Sequence, residues 1–230
     1  MKIFTHLIIA GIGPGSPGLV TFDAIHEAEM SGMIIVPRSN INEPGIAEKV
    51  IARFLPERTL TPVLFPMTRD SQRRDEAVYS QLEAMRQEIE SARRIFFPVL
   101  GDSMLYSTGA YLLEAMRKII PVNAIFIPGI SAHSLAASCA KRFLAMSDEI
   151  LTIIPGTAEP EKISSALEHS DTAAIYKPSA VRNLREIIDP EKFCGILRVD
   201  YAGDPEREHV IHGAEALGEC GYMSVLLLWR

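Results

Sequence analysis

Cysteine is scarce in this chain, and its scarcity excludes a disulfide-built protein. Cys139, Cys194 and Cys220 are the only cysteines among 230 residues. None stands in a C-x-x-C pair, and three thiols are too few for a disulfide framework, so they read as small hydrophobes in a reducing compartment. Long apolar runs are also missing: the longest, near Met223 to Trp229, is far too short to span a bilayer. Neither a signal-peptide nor a transit pattern follows Met1-Lys2, and the expectation is a cytoplasmic protein with no membrane partner. The formal net charge is −6 and no basic stripe appears, which argues against nucleic acid as a partner. The nucleophile elbow G-x-S-x-G is absent, which removes that hydrolase class. His209 and His212 are three apart in what reads as a strand and fall on opposite faces, so no protein-bound metal is expected.

What the chain does have is alternation. Apolar runs near Leu7–Ile12, Met33–Val36, Pro62–Phe65 and Ile95–Leu100 alternate with amphipathic segments near Phe22–Met30, Gly45–Phe54 and Ser71–Ala92. Such βα repetition implies a parallel sheet. Within the longest segment Val78, Leu82, Met85 and Ile89 recur at helical spacing and form a stripe toward the sheet, leaving Arg73, Arg74, Glu83 and Arg86 solvated. Pro121 follows a helix ending near Ile119 and marks a boundary. Strands near Val122–Ile127, Leu151–Pro155, Thr172–Tyr176, Gly195–Val199, Glu208–Ile211 and Ser224–Trp229 come after it, the last ones joined by short turns that favour antiparallel pairing. The expected architecture is α/β with two domains, residues 1–119 with a mainly parallel sheet and residues 120–230 with a mixed sheet, and the ligand cleft between them.

Three loops carry the chemistry. Gly101-Asp102-Ser103-Met104-Leu105-Tyr106-Ser107-Thr108 puts a carboxylate and several hydroxyls between an apolar strand and a helix, where open α/β sheets bind ligands. Gly11-Ile12-Gly13-Pro14-Gly15-Ser16-Pro17 and Pro128-Gly129-Ile130-Ser131-Ala132-His133 occupy equivalent strand-to-helix positions. The first of these nearly matches the dinucleotide fingerprint G-x-G-x-x-G. Ser16 takes the last glycine's place, however, Pro14 and Pro17 interrupt the turn, and no ribose-binding carboxylate ends the second strand, although Arg38 stands where a 2′-phosphate would lie.

Together these loops resemble the tetrapyrrole methylases, which use S-adenosyl-L-methionine to methylate ring carbons. The family's G-x-G-P-G-[DS] turn matches Gly11 to Ser16, its G-D-P loop matches Gly101-Asp102-Ser103, and its P-G-[IV]-[ST] turn matches Pro128 to Ser131. Phe65-Pro66-Met67-Thr68-Arg69-Asp70, with Met104 to Thr108 and Ile154-Pro155-Gly156-Thr157, resembles the branch acting at carbon 20 of precorrin-2 or cobalt-factor II, in cobalamin biosynthesis. The chain departs from the family in two places: Ser103 replaces the usual proline, and Tyr176 stands where a methionine is common.

The resemblance implies cofactor contacts at Pro14, Leu100, Gly101, Asp102, Leu105, Ser131, Ala132, Tyr176 and Ala202. It implies substrate contacts at Gly13, Tyr106, Ser107 and Thr108. Arg38 and Arg69 are the first candidates to meet the carboxylates of the ring, ahead of Arg73 and Arg74. Asp102 and His133 are the candidates for a base, although chemistry that starts from a sulfonium asks mainly for alignment and exclusion of water. A homodimer is also implied. Methylation at another ring position, or a cofactor-binding relative without turnover, are the competing readings.

Overall fold

The computed structural model describes residues 4–68 and 70–230. It divides into two compact units, Met1–Ser131 and Ala132–Arg230. The first unit runs β1 (Thr5–Gly11), α1 (Phe22–Met30), β2 (Met33–Arg38), α2 (Ile46–Phe54), β3 (Leu60–Leu64), α3 (Ser71–Ala84), α4 (Arg86–Ala92), β4 (Arg94–Val99), α5 (Gly109–Arg117) and β5 (Val122–Ile127). Its five strands lie in the order β3-β2-β4-β1-β5, and every pairing is parallel.

Alternation along the strands explains why these apolar runs are nearly continuous. Leu7, Ile9, Ile95 and Phe97 point to one face, where Val78, Leu82, Ile89, Leu112 and Met116 cover them. Ile8, Ala10, Ile34 and Phe96 point to the other, against Ala24, Ala28, Val50 and Ile51. A parallel sheet with helices on both faces has no solvated side to mark with polar residues.

The boundary falls after Ser131, not after Ile119 as expected. β5 pairs in parallel with β1 along Thr5↔Val122 to Ala10↔Ile127, so it belongs to the first sheet. Pro121 ends a helix, but it does not end the unit. The segment expected as one helix over residues 71–92 is broken at Met85, whose backbone (φ −103°, ψ 15°) caps α3 and starts α4. The apolar stripe survives the break, since Val78, Leu82 and Ile89 are all fully buried. Arg74 was expected to be solvated. Instead its guanidinium sits 3.7 Å from the centroid of the Tyr111 ring, a cation–π contact between α3 and α5.

The second unit contains α6 (Ala132–Ala140), β6 (Leu151–Pro155), α7 (Pro160–Glu168), β7 (Thr172–Tyr176), α8 (Leu184–Ile187), β8 (Gly195–Asp200), β9 (His209–His212) and β10 (Ser224–Trp229). Its sheet has the order β6-β7-β10-β8-β9; β6 and β7 are parallel and the other pairs antiparallel. The parallel pair is linked by α7, which buries Ile163 and Leu167. β10 is buried along its whole length because it is central, flanked by β7 and β8. One buried cation, Arg198, was not foreseen: it donates to Asp200 and to the carbonyls of Ala216 and Gly218, which satisfies it inside the unit. Among the described residues no helix is long and apolar enough to cross a membrane.

Candidate active site

A parallel sheet sends the carboxyl ends of all its strands to one edge, and in the first unit the three motif loops leave from three neighbouring strands. β1 lies between β4 and β5, so the Gly11 loop is flanked by the Gly101 and Gly129 loops. Gly13 and Gly101 exchange backbone hydrogen bonds, Gly13 N–H to Gly101 O at 3.2 Å and Gly101 N–H to Gly13 O at 2.7 Å. A Cβ on Gly11 would lie 2.6 Å from Gly129 N and 2.7 Å from Gly101 O, and one on Gly129 would lie 2.4 Å from Gly101 O. The motif glycines therefore let three backbones touch.

Asp102 fastens this junction. Its Oδ1 accepts the Met104 N–H at 2.8 Å, closing an Asx-turn, and its Oδ2 accepts the Gly129 N–H at 2.9 Å. The carboxylate, a candidate base by motif, thus holds the central loop to the Pro128-Gly129 loop.

Beside Gly101 the central loop leaves space. Gly101 has φ +78°, and a Cβ built on it would meet nothing within 4 Å. Pro14 and Gly13 are buried, and Leu100, Asp102, Leu105 and Ser131 are half-buried; within the second unit, Ala132, Tyr176 and Ala202 are half-buried too. Tyr106, 46% exposed, takes a left-handed φ of +50°, a strained backbone for a bulky residue and of the kind that collects at functional sites. Burial pushes its phenol above the ordinary range, so the hydroxyl keeps its proton at neutral pH. Ser107 Oγ accepts the Gly109 N–H at 3.0 Å and so caps the start of α5; this is a helix-end role for a residue expected at the substrate. Thr108 occupies the N-cap position and makes no side-chain cap bond.

Within the second unit, His133 and Tyr176 form a pair. The Tyr176 hydroxyl lies 2.7 Å from His133 Nδ1 and accepts the His133 backbone N–H at 3.3 Å, with the rings edge to face. Engagement of Nδ1 confines any proton transfer by this ring to Nε2. Nothing in the sequence pattern pointed to this contact, because the two residues are far apart along the chain.

The arginines separate. Arg69 lies outside the described residues. Arg38, at the end of β2, was expected to meet a substrate anion, but Nε and NH2 are held bidentately by Glu48 at 2.7 and 2.6 Å, and NH1 donates to the Ile41 carbonyl at 2.6 Å. Glu48 Oε2 also accepts the Gly45 N–H, which starts α2. Both charges are mostly buried, so each needs the other. The hydrogen bond from Arg38 is the main reason the Glu48 carboxyl sits below the usual range. Glu48→Gln should cost about 2 kcal/mol at pH 7. A carboxylate depressed in the folded state stabilises above its unfolded pKa of about 4.3, and that contribution is lost as pH falls through the lower folded value. Urea titrations should therefore show the wild-type advantage shrinking below about pH 4.

Phe65 to Asp70 begins where β3 ends, at the same sheet edge. Phe65 anchors the segment by packing 5.9 Å from the Phe97 ring, and Asp70 Oδ1 caps α3 by accepting the Arg73 N–H. Arg73 itself is exposed.

The fold and this edge define a two-unit α/β protein whose three glycine loops are gathered at the carboxyl ends of parallel strands, where open α/β sheets bind ligands. A family model, Tetrapyrrole (Corrin/Porphyrin) Methylases, matches residues 6–213. The chain belongs to that family. It is 30% identical over 167 residues to the cobalt-precorrin-2 C(20)-methyltransferase of Salmonella typhimurium, covering 72% of this chain and 69% of that protein. It is 27% identical to the precorrin-2 C(20)-methyltransferase of a Sinorhizobium species, over 97% and 96% of the two chains. A solved structure of uroporphyrin-III C-methyltransferase from Thermus thermophilus, complexed with S-adenosylhomocysteine, superposes with a TM-score of 0.67 at 20% identity, over 98% of this chain and 97% of that one.

Proposed function

We propose that this protein is a cobalamin-pathway methyltransferase that transfers a methyl group from S-adenosylmethionine to carbon 20 of precorrin-2 or cobalt-factor II. The observation that carries the methylase reading is the junction of three glycine loops at one sheet edge, with an open face beside Gly101. The carbon-20 position is supported by the names of the two relatives above and by the segment Phe65 to Asp70.

The residues suit such a cofactor. Gly101 leaves room for close approach, and the loop that follows it carries a carboxylate and hydroxyls. Pro14, Leu100, Gly101, Asp102, Leu105 and Ser131 are the proposed cofactor contacts, and the family motif alone adds Ala132, Tyr176 and Ala202 to the proposal. Gly13, Tyr106, Ser107, Thr108 and Arg69 are the proposed substrate contacts, Ser107 through the hydroxyl proton that its bond to the Gly109 N–H leaves available. When bound, S-adenosylmethionine supplies a methyl on a sulfonium, an electrophile that needs no acid to activate it. The chain's own task is then alignment: Asp102 fixes two loops at once, which holds the reacting groups in register. His133, with Nδ1 engaged, serves better as a hydrogen-bonding group than as a base. Arg38 is assigned to holding Glu48 and α2.

A single-turnover assay with methyl-labelled S-adenosylmethionine, run in parallel with metal-free precorrin-2 and cobalt-factor II, tests this. Label at carbon 20 of either product supports the reading. Transfer to another carbon would move the specificity, and no transfer with the cofactor bound would favour a binding protein.

A further inference from the structure

Ser103 is a residue of the central loop whose chemistry the proposed mechanism does not use. The residue is 4% exposed, and its Oγ is shielded from solvent with no hydrogen-bond partner among the described residues. A buried hydroxyl without a partner forfeits its hydrogen bonds to water and receives none in return. Such a group calls for a physical reason, and a bound ligand that satisfies it is one. The proline usual at this position of the family motif carries no hydroxyl.

Its location narrows what that partner is. Ser103 stands at the tip of the Asx-turn that Asp102 closes onto Met104, and Asp102 also ties the turn to Gly129. The backbone on both sides is therefore fixed. Gly101, two residues earlier, borders open space. Met104 on the other side is 67% exposed, and its unbranched side chain can swing without disturbing the core.

We propose that the Ser103 hydroxyl is a hydrogen-bonding group for the S-adenosyl cofactor, without a partner among the described residues of the free protein and satisfied when the ligand is bound. This rests on the cofactor reading above. The polar groups of such a ligand, its amino-acid end and its ribose hydroxyls, match a side chain that both donates and accepts. The hydroxyl adds an interaction that a proline cannot make.

The arrangement predicts opposite effects of Ser103→Ala on the free and liganded protein. Removing an unsatisfied hydroxyl should raise the melting temperature of the free protein, by about 2–4 °C. Removing a ligand hydrogen bond should weaken S-adenosylhomocysteine binding, measured by calorimetry, about fivefold to tenfold. In turnover the KM for S-adenosylmethionine should rise while kcat holds. Ser103→Pro, which also lacks the hydroxyl, should weaken binding to the same extent. Unchanged affinity in both variants, with wild type binding normally, would overturn this inference and leave the cofactor reading intact. A lower melting temperature of free Ser103→Ala would also overturn it, because the hydroxyl would then have a partner already. Failure of the wild type to bind S-adenosylhomocysteine would overturn both readings.

Discussion

Gly129→Ala is expected to disrupt the first unit, at a cost of about 3 kcal/mol or more. The added Cβ would lie 2.4 Å from the Gly101 carbonyl oxygen and 2.6 and 2.7 Å from the Gly11 carbonyl carbon and Cα. All three are backbone atoms at the ends of adjacent strands, so no rotamer change relieves the clash. Relief requires β1, β4 and β5 to separate at their carboxyl ends, which is where the ligand loops begin. Two glycine controls divide space from backbone conformation. Gly101→Ala meets open space but must hold φ +78°, a left-handed cost of about 1–2 kcal/mol. Gly18→Ala, whose Cβ has only Ser16 Oγ at 4.0 Å, should stay within about 0.5 kcal/mol of wild type. The single tryptophan, Trp229, lies in the second unit and does not report on this event. Hydrogen exchange in β1, β4 and β5 does. Native-like protection there in Gly129→Ala would refute the close-packed junction.

Asp102→Asn is the second large effect. Each carboxylate oxygen accepts one backbone N–H, from Met104 and from Gly129. A carboxamide offers one acceptor and one donor, so one of those N–H groups must face an NH2. We expect about 1–3 kcal/mol of destabilisation and a fall of about 100-fold in methyl transfer, since a loop displaced by about 1 Å is enough for such a loss. The diagnostic is where the damage falls. Amide exchange should accelerate at Gly129 or Met104, and S-adenosylhomocysteine affinity should drop with it. Loss of transfer with both amides fully protected would instead make Asp102 a direct participant in the chemistry.

Much of this was legible in the chain. The strand runs and the helical stripe of Val78, Leu82 and Ile89 are periodic signals set by which faces must be buried, and they held. The Pro121 boundary did not hold, because a proline ends a helix locally but has no bearing on which sheet the next strand joins. Arg38 shows the same limit for charge. An arginine at a strand end resembles an anion site until the fold brings Glu48, ten residues later, against it with bidentate geometry. For Ser107 the structure adds what the loop pattern does not show, that its Oγ also accepts the Gly109 N–H at the start of α5.

The sequence by itself determined the α/β class, the three glycine loops and the family they resemble, since periodicity and local turn chemistry are properties of neighbouring residues. Only the tertiary structure decided that β5 completes the first sheet, that Gly11, Gly101 and Gly129 are glycines because their backbones touch, that Asp102 binds two loops together, and that the Ser103 hydroxyl is buried without a partner. The physical reason is common to all four: each depends on which strands lie side by side, and strand order is set by long-range packing that no local pattern encodes.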